Sequence, residues 1–145
     1  MMQRPGRRAA LRVLLCALCA LALPARAQDP RASEAQMVAL AWLALTDAND
    51  AKGSWDAAAA EFRGAITLER WTEGLAKLRV PLGALQQRAL HDVAFVRVIP
   101  GLPDGDYALL RFRTMFAGKP DAEESVTLTR DAAGNAWLVV GYVIR

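Results

Sequence analysis

The hydrophobic and polar positions of this chain follow two different periods, and the change between them falls near residue 87. Before that point, apolar residues recur every three to four positions, which predicts amphipathic helices. After it, they alternate with polar residues, which predicts strands that bury one face. Helices followed by a run of antiparallel strands predict an α+β domain, with the helices stacked on one face of a curved four-stranded sheet.

Three helices are predicted in the first part, each preceded by a residue that can cap its N-terminus. The expected spans are residues 34–48 after Ser33, residues 55–64 after Ser54, and residues 68–79 after Thr67. Pro81 supports the last ending, because a proline disfavours helical geometry in the residue before it. In Ser54-Trp55-Asp56, a capped helix start explains all three residue types more simply than a binding loop or a catalytic serine does.

Four strands are predicted in the second part. The expected spans are residues 87–99, 107–116, 123–130 and 137–144, with a hairpin loop over residues 131–135. Strict alternation in the first strand places Val93 and Phe95 on one face and Leu90 on the other. The third strand has polar outward residues and is expected at an edge of the sheet. The last strand is apolar on both faces, so it is expected to be central or covered on both sides.

The first 27 residues have the pattern of a cleaved signal peptide. Four arginines precede an uncharged apolar run over residues 13–23, and Pro24 follows it. Ala25 and Ala27 then supply small residues at the −3 and −1 positions, which predicts cleavage between Ala27 and Gln28. The apolar run has 11 residues, and a membrane span needs about 20, so a retained anchor is the weaker alternative.

Two other routes of export are also weaker alternatives. A lipidated cysteine needs a small residue before it, but leucines precede both Cys16 and Cys19. The Arg7-Arg8 pair has neither the Ser or Thr before it nor the Phe-Leu after it that are typical of a twin-arginine signal.

Cleavage would leave residues 28–33 as a disordered polar stub and residues 34–145 as a single α+β domain, in the periplasm or secreted. The mature chain keeps 13 Lys and Arg and 15 Asp and Glu, so its net charge is −2 rather than the +3 of the whole chain. The basic balance therefore belongs to the signal peptide and does not indicate nucleic-acid binding. No membrane span and no cysteine would remain, which excludes a disulfide or a thiol nucleophile in the mature chain.

Several short segments together form a recognisable pattern. They are Ala41-Trp42-Leu43 with Asp47, Ser54-Trp55-Asp56, Trp71, Arg79-Val80-Pro81-Leu82-Gly83, Pro103-Asp104-Gly105, Trp137 and Gly141-Tyr142. In these segments the chain resembles the bacterial domain of unknown function 4019 family, from about residue 35 to 145. The resemblance implies an exported domain with helices packed on a curved antiparallel sheet, as in cystatin-like or nuclear-transport-factor-2-like folds. It implies no reaction, cofactor or catalytic residue.

The tryptophans are the main candidates for a binding site. They could line a ligand cavity between helices and sheet, although an ordinary core requires the same spacing. A buried indole N–H without a partner would favour the cavity. The leading interpretation is a non-catalytic exported module that binds a small apolar ligand or an envelope partner protein, through this cavity or the open sheet face. The candidate ligand-binding residues are Trp55, Trp71, Tyr107 and Arg111.

The outer face of the sheet is a second candidate for a binding surface. Arg97 and Arg113 could join Arg111 in a patch for an anionic ligand or partner, although a solvated outer face is the simpler interpretation. Self-association through the sheet face is another interpretation of the same surface.

A small enzyme with a pocket carboxylate as its general base is the alternative function, with Asp47, Asp50 and Glu61 as candidates. Other catalytic chemistry has little support, because His91 is the only histidine and no glycine-rich phosphate loop occurs. One histidine without cysteine also argues against an ordinary zinc site, and no cofactor is indicated.

Overall fold

The computed structural model describes residues 29–131 and 133–145. The predicted signal peptide, both cysteines and the cleavage position between Ala27 and Gln28 lie outside these residues. Within them, helices precede an antiparallel sheet, which confirms the predicted α+β class. In order, the elements are α1 Pro30–Asp47, α2 Ala51–Asp56, α3 Ala60–Ala65, α4 Leu68–Arg79, a 3-10 turn Val80–Leu82, β1 Leu85–Val96, β2 Tyr107–Phe116, β3 Lys119–Arg130 and β4 Trp137–Ile144.

The four strands form a simple meander in the order β1-β2-β3-β4. Strand β3 is therefore central and β4 is an edge, so the predicted places of these two strands were wrong. The polar outward residues of β3 reflect the open outer face of the sheet, where Ser125 and Thr127 are half-buried. Part of the β4 edge is covered, because the backbone N–H of Ala59 donates to the carbonyl of Val139 at 2.8 Å.

Helix α1 begins at Pro30, four residues earlier than predicted, and takes in residues 30–33, which were expected to form a disordered stub. Its cap is Asp29, whose side chain accepts a hydrogen bond from the backbone N–H of Arg31 at 2.9 Å, and Ser33 lies inside the helix. A proline at the first helical position is itself a start signal, because its fixed φ suits the first turn.

The predicted second helix is two short helices, α2 and α3. Asp50 caps α2 by accepting from the N–H of Gly53 at 2.8 Å, and Ser54 lies within that helix, so the prediction of Ser54 as a cap was wrong. The break between the two helices falls where Ala59 pairs with Val139 of β4. The pairing with the sheet therefore overrides a helical pattern that continues through this segment.

Other predicted boundaries match the structure closely. Helix α4 ends at Arg79 as expected, and Thr67 caps it by accepting from the N–H of Arg70 at 3.3 Å. The spans of β2 and β4 are confirmed. Strand β3 begins at Lys119, earlier than predicted, because a two-residue turn at residues 117–118 is enough to connect it to β2. Gly118 fits this turn because a side chain there would place its Cβ 2.6 Å from the carbonyl oxygen of Pro81.

Strand β1 contains a bulge that the alternation of its residues did not predict. Leu90 pairs with Phe112 and Val93 pairs with Leu110, and the register shifts between Leu90 and Asp92. One extra residue in this strand turns the following side chains over to the other face. Leu90, Val93 and Phe95 therefore all pack against the core, so the predicted separation of Leu90 from the other two was wrong.

The core lies between the helices and one face of the sheet, and the described elements leave the other face of the sheet uncovered. On that outer face, Arg111, Arg113 and Met115 are exposed. No helix among the described residues is long and apolar enough to cross a membrane.

Candidate functional site

Aromatic rings fill the space between helices and sheet in which a ligand cavity was predicted. Trp42 lies 5.8 Å from Trp71 and 5.3 Å from Tyr142, measured between ring centroids. Phe62 closes the cluster, with its ring 5.1 Å from that of Trp71. Trp42 and Trp71 are 3% and 7% exposed, so these two tryptophans are core residues.

Ser54 is the polar centre of this aromatic cluster. Its carbonyl oxygen accepts from the indole Nε1 of Trp42 at 2.8 Å, and its hydroxyl accepts from that of Trp71 at 2.9 Å. The same hydroxyl can donate to the carbonyl of Asp50, at 2.7 Å, so the fully buried serine has all its hydrogen bonds made. The role of Ser54 is to satisfy two buried indole groups rather than to cap a helix.

The four predicted ligand-binding residues lie in different parts of the structure. Trp71 is in the core, and Trp55 packs against its margin with Nε1 donating to the carbonyl of Ile66 at 2.9 Å. Tyr107 is buried and its hydroxyl donates to the carbonyl of Pro103, while Arg111 pairs with Asp92, 2.9 Å away on the outer face. The structure does not bring these four residues together in one site.

A buried ionic cluster joins the ends of two helices to two strands of the sheet. It consists of Asp47 at the end of α1, Arg79 at the end of α4, Arg88 in β1 and Glu124 in β3. The Arg88 guanidinium donates to Glu124 at 2.6 Å and to Asp47 at 2.8 Å, and Arg79 donates to Asp47 at 2.6 Å. Two cations and two anions balance one another, as buried charges must.

Glu124 is fully buried and is held by neutral donors as well as by Arg88. Thr114 donates to it at 2.6 Å and Tyr142 at 2.7 Å. Burial would lower the pKa of Arg88, but its hydrogen bonds to Asp47 and Glu124 outweigh this and raise it. Burial also raises the pKa of Tyr142, and the negative charge of Glu124 raises it further. The raised pKa values keep the Arg88 guanidinium charged and the Tyr142 phenol neutral beyond their ordinary pH ranges.

The carboxylates proposed for an enzyme are engaged elsewhere or exposed. Asp47 accepts hydrogen bonds from both arginines of the ionic cluster, Asp50 caps α2, and Glu61 is exposed in the first turn of α3. Glu124, which sequence reasoning missed, is inaccessible to a substrate. Within residues 29–131 and 133–145, no three His, Cys, Asp or Glu side chains are placed to hold a metal ion, and His91 is exposed at the bulge.

Tyr142 should make stability sensitive to alkaline pH. Its pKa is raised above the ordinary 10.0, so its contribution to stability is complete below pH 10 and is lost as the pH rises further. Urea unfolding at several pH values from 8 to 11 should show the wild type losing up to about 1.4 kcal/mol per pH unit more than Tyr142→Phe does. Parallel pH profiles for the two proteins would contradict this role of the phenol.

A cavity lies at one end of the sheet, near the start of α1, and has a volume of about 490 Å³. We call it the Trp137 cavity. It includes the predicted residue Tyr107 in its wall. The residues that determine its chemistry are Arg31, Phe95, Arg97, Asp106, Arg130 and Trp137.

Trp137 carries an unusual feature of this cavity. Its side chain is 3% exposed, and its Nε1 is buried without a hydrogen-bond partner among the described residues. The other three indole groups all donate to protein oxygens. The Arg130 guanidinium lies 4.2 Å above the Trp137 ring and stacks on it. A buried indole N–H beside a cavity is the feature that the sequence interpretation named as favouring a binding pocket.

Each arginine of the Trp137 cavity has one carboxylate partner. Arg97 pairs with Asp106 at 2.7 Å. Arg130 pairs with Glu34 at 3.1 Å, and Arg31 pairs with Asp29, the cap of α1, at 2.8 Å. Arg31 also lies 4.5 Å above the ring of Phe95. These pairs hold the three guanidinium groups around the opening.

A depression of about 470 Å³ also lies on the outer face of the sheet. Ala89 and Met115 supply apolar surface there, and Arg113 and Glu123 supply opposite charges. It contains no buried polar side chain that lacks a partner. This depression lies on the face for which a partner or self-association surface was predicted.

The fold defines the protein as a small α+β domain with a four-stranded antiparallel meander. A family model described as "Protein of unknown function (DUF4019)" matches residues 38–142, and the chain belongs to this family. The resemblance predicted from the short segments is therefore confirmed. No curated protein and no solved structure matches the chain.

Proposed function

We propose that this protein is a non-catalytic exported module that binds a small molecule in the Trp137 cavity. The observation that carries the proposal is the buried Nε1 of Trp137, which has no partner among the described residues. An unsatisfied buried donor costs about 1–3 kcal/mol, and a ligand with an acceptor group would remove this cost. The volume of about 490 Å³ falls within the range of small-molecule sites.

The arrangement of the carboxylates supports binding rather than catalysis. A general base must reach a substrate proton, but Glu124 is fully buried and accepts from Arg88, Thr114 and Tyr142. In the Trp137 cavity, the carboxylate of Asp106 is exposed and bound to Arg97. Neither carboxylate is therefore free to accept a proton from a substrate in this arrangement.

Export of the module rests on the sequence of its first 27 residues. The basic start, the apolar run and the alanines before Gln28 support cleavage by a signal peptidase and release to the periplasm or the exterior. An intact protein mass would test this directly. A chain that starts at Gln28 is expected, and a full-length chain recovered from the cytoplasm would contradict export.

Native mass spectrometry of the protein purified gently from a periplasmic fraction tests the binding function. We expect a complex of the chain with a small molecule, and we expect Trp137→Phe to lose the added mass because it removes the indole donor. Met115→Ala is the matched control on the outer face and should retain it. A partner protein or a dimer that is lost in Met115→Ala but kept in Trp137→Phe would favour the sheet face and overturn the proposed site.

A further inference from the structure

The geometry points to a small organic anion as the ligand of the Trp137 cavity, bound by Arg97, Arg130 and the indole N–H of Trp137. This inference rests on the proposed function of the cavity as a binding site. It replaces the apolar ligand that the sequence suggested with one that carries a carboxylate or phosphate group.

The Trp137 cavity has more hydrogen-bond donors than its own acceptors use. A guanidinium has five N–H donors, yet Arg97 gives one hydrogen bond to Asp106 and Arg130 gives two to Glu34. The indole N–H of Trp137 gives none to any described residue. Carboxylate and phosphate groups only accept hydrogen bonds, and they are the groups that guanidinium binds best.

Guanidinium groups dominate the charged part of the wall. Three arginines line the cavity, and Asp106 is the one acidic residue among the lining residues that the structure describes. Glu34, which pairs with Arg130, is not part of the lining. The three arginine–carboxylate pairs carry no net formal charge. Two of the carboxylates, Asp29 and Glu34, lie outside the lining, so the wall presents mainly guanidinium groups to a ligand.

Two aromatic rings also belong to the wall of the cavity. The rings of Phe95 and Trp137 lie 6.0 Å apart and are tilted by 36°. Arg31 and Arg130 rest on the faces of these two rings, which fixes the guanidinium groups in place at little further cost on binding. An aromatic wall beside these cations suits an anion that also has an apolar part.

Nuclear magnetic resonance of the indole groups tests the inference on the mature chain. All four tryptophans lie after residue 27, so four indole N–H signals are expected, and Trp137→Phe identifies one of them by removing it. Benzoate and inorganic phosphate are the anionic probes, and benzamide is the neutral control. Sodium chloride keeps the ionic strength constant. We expect benzoate or phosphate to move the Trp137 signal downfield in a saturable way.

Arg97→Gln and Arg111→Gln form a matched pair of variants. Both remove an exposed arginine that pairs with one aspartate, at 2.7 Å and 2.9 Å, but only Arg97 lines the cavity. Arg97→Gln should weaken anion binding about three- to tenfold, and Arg111→Gln should change it by less than about twofold. Equal effects of the two variants, or no saturable shift with either anion, would overturn the inference.

The neutral probe separates this inference from the proposed function. If benzamide binds as tightly as benzoate, the cavity binds ligands but does not select anions, so only the inference fails. If no probe moves the Trp137 signal while native mass spectrometry finds a ligand that depends on Trp137, again only the inference fails. If both experiments find no ligand at this site, the proposed function fails as well.

Discussion

Glu124→Gln is expected to lower the free energy of unfolding by about 3–5 kcal/mol. The change removes one of the two anions that balance Arg79 and Arg88, and it leaves a positive charge buried without compensation. An amide also presents two donors where the carboxylate accepts from Thr114 and Tyr142. Urea unfolding followed by tryptophan fluorescence measures the loss.

The neighbouring residue provides a matched control. Glu123→Gln makes the same chemical change one position away, on the outer face, where no ion pair within the described residues involves Glu123. It should change the free energy of unfolding by no more than about 0.5 kcal/mol. Similar losses for the two variants would show that the ionic cluster does not have the role given to it here.

Trp71→Ala is expected to cost about 3–5 kcal/mol of unfolding free energy, because it removes a large core ring. The ring contacts Trp42 and Phe62, and its Nε1 donates to Ser54. Trp71→Phe keeps most of the packing and loses the hydrogen bond, so it should cost about 1–2 kcal/mol. Chemical unfolding of both variants measures the difference between their free energies of unfolding.

The same experiment decides between a core and a ligand-binding role for Trp71. A tryptophan that served a ligand would be replaceable with little loss of stability, and its replacement would abolish binding instead. A loss below 1 kcal/mol in Trp71→Ala would therefore contradict the core role. Binding of benzoate to the folded Trp71→Phe protein should be close to that of the wild type.

Much of the fold could be predicted because its elements obey local rules. Strand β2 has clear turn residues at both ends, β4 has them before its start, and Thr67 and Pro81 mark the limits of α4. The predictions failed at positions where tertiary contacts determine the local structure. The bulge after Leu90 has no local signal, and the break before α3 exists because Ala59 pairs with a strand some 80 residues later in the chain.

The two sites differ in how far the sequence could have revealed them. Glu124 lies on the same face of β3 as Val126 and Leu128, so a charge at a core position was visible in the alternation. Its partner Arg88 lies 36 residues earlier, and only the strand register brings them together. The arginines of the Trp137 cavity meet because several elements end there, and no spacing in the sequence predicts this.

Several residues of the ionic cluster and of the Ser54 centre lie in the short segments that carry the family resemblance. Asp47, Arg79 and Tyr142 of the cluster, and Ser54 and Trp71 of the aromatic centre, all belong to those segments. Trp137 belongs to them as well, whereas Arg97 and Arg130 of its cavity do not. The segments by which the family is recognised therefore hold the buried contacts of the core and the indole of the cavity, while the arginines that would select a ligand lie outside them.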